Sequence, residues 1–148
     1  MALYFDDIET GATFDSRPRE ITEASIRVFS ELTGDANGVH LNARHAEASV
    51  FGKPVAHGTL VIGLAMGLLA ELRLFEGTAI APLDLEWKFS KPVYLGDTIR
   101  ARLTVTEKRP SSNPARGLIT RRIEVLNQAG DVVQQGTSRM LLKSRHAG

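Results

Sequence analysis

The chain has 148 residues, no cysteine, and 18 basic against 17 acidic side chains. Its length predicts a single domain, residues 1–148, that buries about two-thirds of the surface exposed by the unfolded chain. The lack of cysteine excludes disulfides, thiolate nucleophiles and cysteine-based metal sites, and it favours a cytoplasmic location. The charges nearly cancel and form no block, so we expect no nucleic-acid partner.

Membrane contact is equally unexpected from the sequence. The most apolar segment, Thr59 to Ala70, has 12 residues, whereas a membrane-spanning helix needs about 20. The N-terminal segment MALYFDDIET is acidic, whereas a targeting signal begins with basic and apolar residues. We therefore expect no membrane partner and no targeting segment.

The N-terminal half predicts mostly helix. A short strand or two is expected first, around a turn at Glu9 to Gly11. Thr22 to Leu32 then forms an amphipathic helix, because Thr22 is a favourable N-cap, apolar residues recur every third position, and Gly34 stops the helix. A shorter helix is expected within Asn42 to Gly52, where Ala, Glu and Arg favour it. The connecting segment LTGDANGVHLN is expected to be a loop.

The segment from Thr59 to Phe75 predicts a helix inside the protein. Apolar residues occupy every side of this segment for about three turns, which is the pattern of a helix surrounded by other elements. Gly63 and Gly67 lie one turn apart and would let a second backbone approach closely.

After Gly77 the apolar residues alternate, as in the strands of a half-buried sheet. Leu83 to Phe89 is one such strand. The next strand points a second apolar set inward: Ile99, Ala101, Leu103 and Val105. Turn-rich segments at Arg109–Gly117 and Asn127–Asp131 join three long antiparallel strands. The sequence therefore predicts an α+β fold in which an antiparallel sheet wraps around the long central apolar helix.

The predicted loop LTGDANGVHLN places an acid, Asp35, five residues before an imidazole, His40. On a helix these side chains would point about 140° apart, so they converge only where the chain bends. Gly34, Asn37 and Gly38 favour a bend because they tolerate backbone angles that other residues resist. A converged pair can hold a water molecule and move protons near neutral pH. Alternatively, Asp35 caps a turn and His40 is a core residue.

The segment AHGTL immediately precedes the apolar helix. Backbone N–H groups at a helix N-terminus, with Gly58 allowing close approach, form a donor site for an oxyanion that develops on a carbonyl substrate. His57 and Thr59 flank this glycine and Gly63 follows them on the helix, so these three residues are candidates for the substrate pocket. The alternative is an ordinary entry turn at His57 and Gly58.

No metal site or covalent nucleophile is predicted beside these segments. A zinc site needs three or four converging ligands, and the spacing of His40 and His45 is not that of a helical metal-binding pair. The sequence contains no nucleophile elbow and no glycine-rich phosphate loop. His45 and His146 receive no role. The basic residues of the strands are expected on solvated faces: Lys88, Lys91, Arg100, Arg102, Arg121 and Arg122.

Together these segments resemble the MaoC-like dehydratases, which include the R-specific enoyl-CoA hydratases of the hot dog fold. The resemblance covers most of the chain, in the order ITEASIRVFSELTGDANGVHLN, FGKPVAHGTL with the apolar helix, and WKFSKPVYLGDTI before the long strands. The combination TGDxNxxH followed by AHG is its most specific part. Two positions differ, because Gly38 stands where the family often has proline and Gly63 where R-hydratases can have serine.

The resemblance implies a hot dog fold and a homodimer, or higher homo-oligomer, whose sheets join edge to edge. It implies the reaction of a carbon–oxygen lyase, in which a trans-2-enoyl-CoA thioester is reversibly hydrated to R-3-hydroxyacyl-CoA. Coenzyme A is then part of the acyl-CoA substrate, and no separate cofactor is needed. The family's water-binding pair corresponds to Asp35 and His40, and its oxyanion donor to the N–H of Gly58. Asn37, with Gly34, would support the loop.

Two other functions are compatible with the same residues. A hot dog thioesterase would direct water at the carbonyl carbon and release a free thiol. A non-catalytic acyl-thioester-binding subunit would use Asp35 and His40 only to build the loop.

Overall fold

The computed structural model describes residues 1–146, so the last two residues of the predicted domain lie outside the described part. Its helices are α1 (Glu23–Thr33), α2 (Gly38–Leu41), α3 (Ala43–Glu47) and α4 (Gly58–Ala70). Its strands are β1 (Thr13–Asp15), β2 (Arg19–Glu20), β3 (Ala79–Pro82), β4 (Glu86–Phe89), β5 (Thr98–Pro110), β6 (Arg116–Leu126) and β7 (Val132–Lys143). A 3₁₀ turn at Phe5–Asp7 precedes β1.

The strands form a seven-stranded antiparallel sheet in the order β1-β5-β6-β7-β3. β5, β6 and β7 are the three long strands predicted from the alternating pattern. β1 and β2 both pair with β5, whereas β3 and β4 both pair with β7. The register shifts between Val105 and Glu107 on β5 and between Val125 and Leu126 on β6. Such irregularities increase the local twist and help the sheet to curve around α4.

The hydrophobic core lies between the inner face of this sheet and α4. The predicted inward set of β5 is confirmed, because its four side chains are at most 1% exposed: Ile99, Ala101, Leu103 and Val105. They belong to one cluster with buried residues of α4, such as Val61, Ala65 and Leu68. Burial of this apolar surface anchors the helix to the concave side of the sheet.

The helices before α4 follow the sequence prediction in part. α1 begins after Thr22, whose hydroxyl accepts a hydrogen bond from the N–H of Ser25, and ends at Gly34. α3 is shorter than the predicted Asn42–Gly52 helix. The predicted loop between them contains a turn of helix, α2, which starts where Asn37 caps its backbone. The expected N-terminal strands are β1 and β2, and both follow the Glu9–Gly11 turn.

α4 ends at Ala70, five residues before the predicted end at Phe75. The chain leaves the helix through turns, in which the N–H of Arg73 bonds to the carbonyl of Ala70, and Arg73 takes a left-handed backbone angle, φ 55°. A non-glycine residue at this angle cannot continue a right-handed helix. No helix among residues 1–146 is long and apolar enough to cross a membrane.

One stripe of α4 is not covered by any other part of residues 1–146. Thr59, Gly63 and Gly67 follow one another at four-residue spacing and are all exposed. A methyl group added at Gly63 or Gly67 would meet no atom within 4 Å. The prediction that a second backbone approaches these glycines is therefore not met inside one copy of the chain.

The strand predicted for Leu83 to Phe89 is confirmed only from Glu86 onward. Its predicted apolar face is also largely uncovered: Leu83, Leu85 and Phe89 are 49%, 45% and 59% exposed, and Trp87 alone is half-buried. This face is uncovered because β3 and β4 flank β7 at one end of the sheet. This end of the sheet exposes an apolar surface.

Gly136 on β7 allows β4 to approach, which gives a test of this packing. A methyl group at this position would overlap the backbone carbonyl of Glu86 and the ring of Trp87. We expect Gly136→Ala to lower the free energy of unfolding by about 1–3 kcal/mol, as measured by urea denaturation. The neighbouring exposed substitution Thr137→Ala is the control. Equal stability of both variants would contradict the close packing of β4 on β7.

Candidate active site

A cavity of about 610 Å³ opens beside the N-terminus of α4. Its walls are largely apolar, with Val39, Phe51 and Val55 on one side and Phe89 and Val93 on the other. The polar lining comes from four parts of the chain: Asp35 and His40; His57, Gly58 and Thr59; Ser90 and Lys91; and Gln134. An apolar cavity with a few converging polar groups is the usual form of a small-molecule site.

The bend predicted between Asp35 and His40 is present. Gly34 takes a left-handed angle, φ 80°, and its N–H closes α1 on the carbonyl of Ser30 at 2.8 Å. The Asn37 side chain then accepts a hydrogen bond from the N–H of Val39 at 3.1 Å and starts α2. These two caps reverse the chain so that Asp35 and His40 line the same cavity.

The structure gives a different explanation for glycine at position 38 from the one predicted. It does not take a left-handed angle, because it is the first residue of α2. Proline suits the first position of a helix, which agrees with the proline often found here in the resembling family. In this chain a β-carbon at Gly38 would lie 2.8 Å from Cγ of His45. The position is therefore restricted by space rather than by backbone conformation.

The backbone of Asp35 is held from two sides. Its N–H donates to the hydroxyl of Thr33 at 3.2 Å, and its carbonyl accepts a hydrogen bond from Nε2 of His57 at 2.9 Å. The residue itself is exposed at the cavity. A fixed backbone with an exposed side chain leaves the carboxylate available to a water molecule or a ligand.

His40 presents one defined nitrogen to the cavity. Its Nδ1 lies 2.7 Å from the carbonyl oxygen of Val55. A carbonyl can only accept, so Nδ1 carries a hydrogen and donates it. Nε2 is then the ring nitrogen with a free lone pair in the neutral imidazole, and the Val55 carbonyl sets the tautomer. This arrangement is suited to proton transfer at Nε2.

The sequence did not reveal that His57 supports both Asp35 and His40. Its ring is 2% exposed and stacks on the ring of His40, with centroids 3.8 Å apart, while Phe29 packs against it at 4.8 Å. Nε2 donates to the Asp35 carbonyl and lies 3.1 Å from the hydroxyl of Ser30. His57 thus contacts both members of the acid–imidazole pair. Its Nδ1 is buried and has no partner within residues 1–146.

Asp35, His40 and His57 lie close enough for a metal site to be considered. One candidate ligand atom from each lies within 4.8 Å of the other two. However, the two imidazole rings stack at an interplanar angle of 24°, so their in-plane lone pairs run side by side. A zinc ion needs nitrogen lone pairs that converge on one point at about 2.0–2.1 Å. The geometry favours a proton-transfer site.

Gly58 starts α4 at the edge of the cavity. The first N–H groups of a helix have no acceptor inside the helix, and the helix dipole makes this end electropositive. A β-carbon at Gly58 would lie 2.6 Å from the ring of Phe89. Glycine therefore allows the Phe89 ring to lie against the start of the helix, and Gly58 lines the cavity that Asp35 and His40 also line.

Gln134 on β7 holds this end of the helix and was not predicted. Its amide nitrogen donates to the carbonyl of Gly58 at 3.3 Å, and its amide oxygen accepts from the indole N–H of Trp87 at 2.8 Å. The alternating pattern gave no signal for it, because Val133 and Gln134 are adjacent and both buried. The register irregularity of the opposing strand β6 occurs at this point.

The structure therefore brings together most of the residues singled out from the sequence. Asp35, His40, His57, Gly58 and Thr59 all line the cavity. Asn37 and Gly34 lie outside the lining and shape the loop, as expected. Gly63 is the exception, because it lies on the uncovered stripe of α4 and not among the lining residues.

Several known proteins are similar to this chain in fold and in sequence. The family model described as MaoC like domain matches residues 7–125. The (R)-specific enoyl-CoA hydratase of Rhodospirillum rubrum is 33% identical over 142 residues, which cover 96% of this chain and 93% of that protein. The crystal structure of the MaoC-like dehydratase from Rhodospirillum rubrum is 29% identical with a TM-score of 0.89, covering 97% of this chain and 99% of that one.

A third similarity concerns the fold alone. A Mycobacterium tuberculosis protein described as having a double hot dog fold is 22% identical, with a TM-score of 0.86, and the match covers 99% of this chain and 46% of that one. The antiparallel sheet around α4 and the acid–imidazole cavity define a hot dog protein of the hydratase–dehydratase class. Because the family model matches more than half of the chain, the chain belongs to the MaoC-like dehydratase family.

Replacing the His57 ring tests whether it holds the loop. His57→Phe keeps an aromatic ring between Phe29 and His40 but removes the donor to the Asp35 carbonyl. We expect the free energy of unfolding in urea to fall by about 1–2 kcal/mol, since the partly buried hydrogen bond to the Asp35 carbonyl is lost. The exposed substitution His45→Ala should change it by less than about 0.5 kcal/mol. A His57→Phe variant as stable as the parent would contradict this role.

Proposed function

We propose that the protein catalyses the reversible addition of water to trans-2-enoyl-CoA thioesters, giving R-3-hydroxyacyl-CoA. The observation that carries this proposal is the convergence of Asp35 and His40 on one cavity beside the free helix N-terminus at Gly58. The (R)-specific hydratase of Rhodospirillum rubrum supports it through its similarity. The thioester is the substrate, and the reaction needs no separate cofactor.

The acid–imidazole pair supplies the proton transfers in this proposal. Asp35 accepts a proton from a water molecule that His40 helps to orient, and the water oxygen forms a bond to the β-carbon of the enoyl group. The electron pair of the double bond moves to the α-carbon, which takes a proton from Nε2 of His40 in its imidazolium form. The proton that Asp35 took from water then passes to Nε2 of His40, which restores both groups for the next turnover. General acid–base groups of this kind accelerate reactions by about 10²–10⁴-fold.

The helix N-terminus supplies charge stabilisation. Negative charge develops on the thioester oxygen while water adds to the β-carbon, and the N–H of Gly58 donates a hydrogen bond to that oxygen. Gln134 holds the carbonyl of Gly58, in the peptide unit that follows the donor, and so helps to fix the start of the helix before the substrate binds. Oriented donors of this type stabilise a developing oxyanion more than mobile water does.

Hydration of crotonyl-CoA tests the proposal. The enoyl absorbance should fall in the presence of the parent protein, and Asp35→Asn or His40→Ala should slow this loss by at least about 100-fold, because each removes one proton-transfer group. His146→Ala, at an exposed histidine that does not line the cavity, should keep parental activity. Chiral analysis of the product should give the R-3-hydroxyacyl thioester.

Two further measurements with acyl-CoA test the other two functions. Release of free thiol at a rate that exceeds hydration would identify a thioesterase and overturn the proposal. Acyl-CoA binding by calorimetry without turnover for any chain length would identify a binding subunit. Full activity of both Asp35→Asn and His40→Ala would show that the site lies elsewhere.

We further propose that the chain acts as a homodimer in the cytoplasm. The apolar end of the sheet, formed by β3, β4 and the segment between them, has exposed Ile80, Leu83 and Leu85. Phe89 lines the cavity and is also exposed, so a second copy on this surface would help to close the site. Contiguous exposed apolar surface of this kind is typical of a protein interface.

A charge at this sheet edge should separate the two copies. The parent should sediment with twice the chain mass of 16.1 kDa, whereas Leu85→Arg should sediment with the mass of one chain. Val28→Arg introduces the same charge at an exposed apolar residue of α1 and should stay dimeric. A dimeric Leu85→Arg protein would contradict this interface.

A further inference from the structure

A second cavity, of about 460 Å³, lies at the other end of α4. Its lining includes Met66 and Leu69 of α4, Leu103 of β5 and Met140 of β7. It also includes two arginines, Arg73, which follows α4, and Arg121, from the middle of β6. None of these residues lines the candidate active site. The second cavity is therefore a separate space in the same fold.

Arg121 faces the core side of the sheet. Its neighbours along β6 at two-residue spacing, Ile119 and Ile123, are both fully buried, and strand geometry puts all three on one face. The residue directly opposite on β7 is Ser138, which is 2% exposed. The expectation that this basic residue lies on a solvated strand face is wrong.

The guanidinium of Arg121 lacks a charged partner. Within residues 1–146 no carboxylate oxygen lies within 4.0 Å of it, and its side chain donates a single long hydrogen bond, 3.4 Å, to the hydroxyl of Ser138. Its Nε is buried without any partner. Burial lowers the pKa of Arg121, because desolvation disfavours the charged form. The acid in the cavity lining, Glu76, pairs with Arg73 instead.

We propose that this cavity binds a small monocarboxylate with an apolar chain, whose carboxylate pairs with Arg121. A carboxylate matches the planar donor fork of a guanidinium with two parallel hydrogen bonds. Its single negative charge balances the single positive charge, whereas a phosphate dianion would leave a net charge in an apolar site. The methionine and leucine side chains contact the chain of the ligand. The proposal does not depend on the reaction assigned to the first cavity.

Methionine NMR gives a direct readout, because the chain has three methionines. Met66 and Met140 line the second cavity, whereas Met1 is fully exposed. Sodium octanoate is the probe, since its chain suits a cavity of this size. With ¹³C-methyl methionine, octanoate should shift the Met66 and Met140 signals and leave Met1 unchanged. 1-Octanol, which has the same chain without the charge, should bind at least about tenfold more weakly.

Arg121→Met removes the charge and keeps much of the side-chain volume. It should abolish the preference for octanoate over 1-octanol, while Arg122→Met, the next residue on the opposite face of β6, should keep it. Replacing a partly buried, unpaired charge with an apolar residue should not impair folding, and the comparison of octanoate with 1-octanol in the parent needs no variant.

Three results would overturn the proposal. The first is an absence of octanoate-dependent shifts at Met66 and Met140, and the second is equal shifts in the parent and in Arg121→Met. The last is conversion of a dimer to a monomer by Arg121→Met without any octanoate binding by the parent. That last result would show that a carboxylate of a second copy of this chain pairs with Arg121.

Discussion

The packing of α4 against the concave face of β5, β6 and β7 is the constraint on which the candidate site depends. Buried apolar side chains such as Val61, Ala65 and Leu68 fix the helix on the sheet, and burial of this kind is the main favourable contribution to folding. At the start of the helix, Gly58 lets the ring of Phe89 pack directly against the backbone, at a place where a β-carbon would displace that ring. The peptide N–H groups at this end therefore have a defined position before any ligand binds.

The second constraint is the link from this helix to the acid–imidazole loop. His57 is the residue just before α4, and it reaches back to the Asp35 carbonyl while its ring supports His40. One buried side chain thereby ties the loop to the helix. Since Asp35 is exposed and α2 is only a single turn, the loop by itself would not hold the two side chains in a fixed relation. The order of the site comes from the core.

Sequence patterns predicted those parts that depend on neighbours along the chain. The alternating residues of β5 identified its buried face, and Gly34 and Asn37 marked the bend that brings Asp35 to His40. The contacts of His57 and Gln134 were not predictable in this way. They join residues 22 and 27 positions apart for His57 and 76 positions apart for Gln134, so they exist only after the sheet has enclosed α4. Arg121 was misread for another reason, because its alternation with Ile119 and Ile123 placed it inward but its charge suggested solvent.

The two cavities at the ends of α4 differ in how their polar groups are satisfied. Around the first cavity, the Asp35 carbonyl, His40 Nδ1 and the Gln134 amide have partners within the chain, and the buried atom without one among residues 1–146 is the neutral ring nitrogen Nδ1 of His57. In the second cavity Arg121 has a buried nitrogen with no partner among residues 1–146. A partly buried charge without a partner lowers stability, and this cost is offset when an anion of matching shape binds. The first site is therefore ordered by the fold, whereas the second is completed by what it binds.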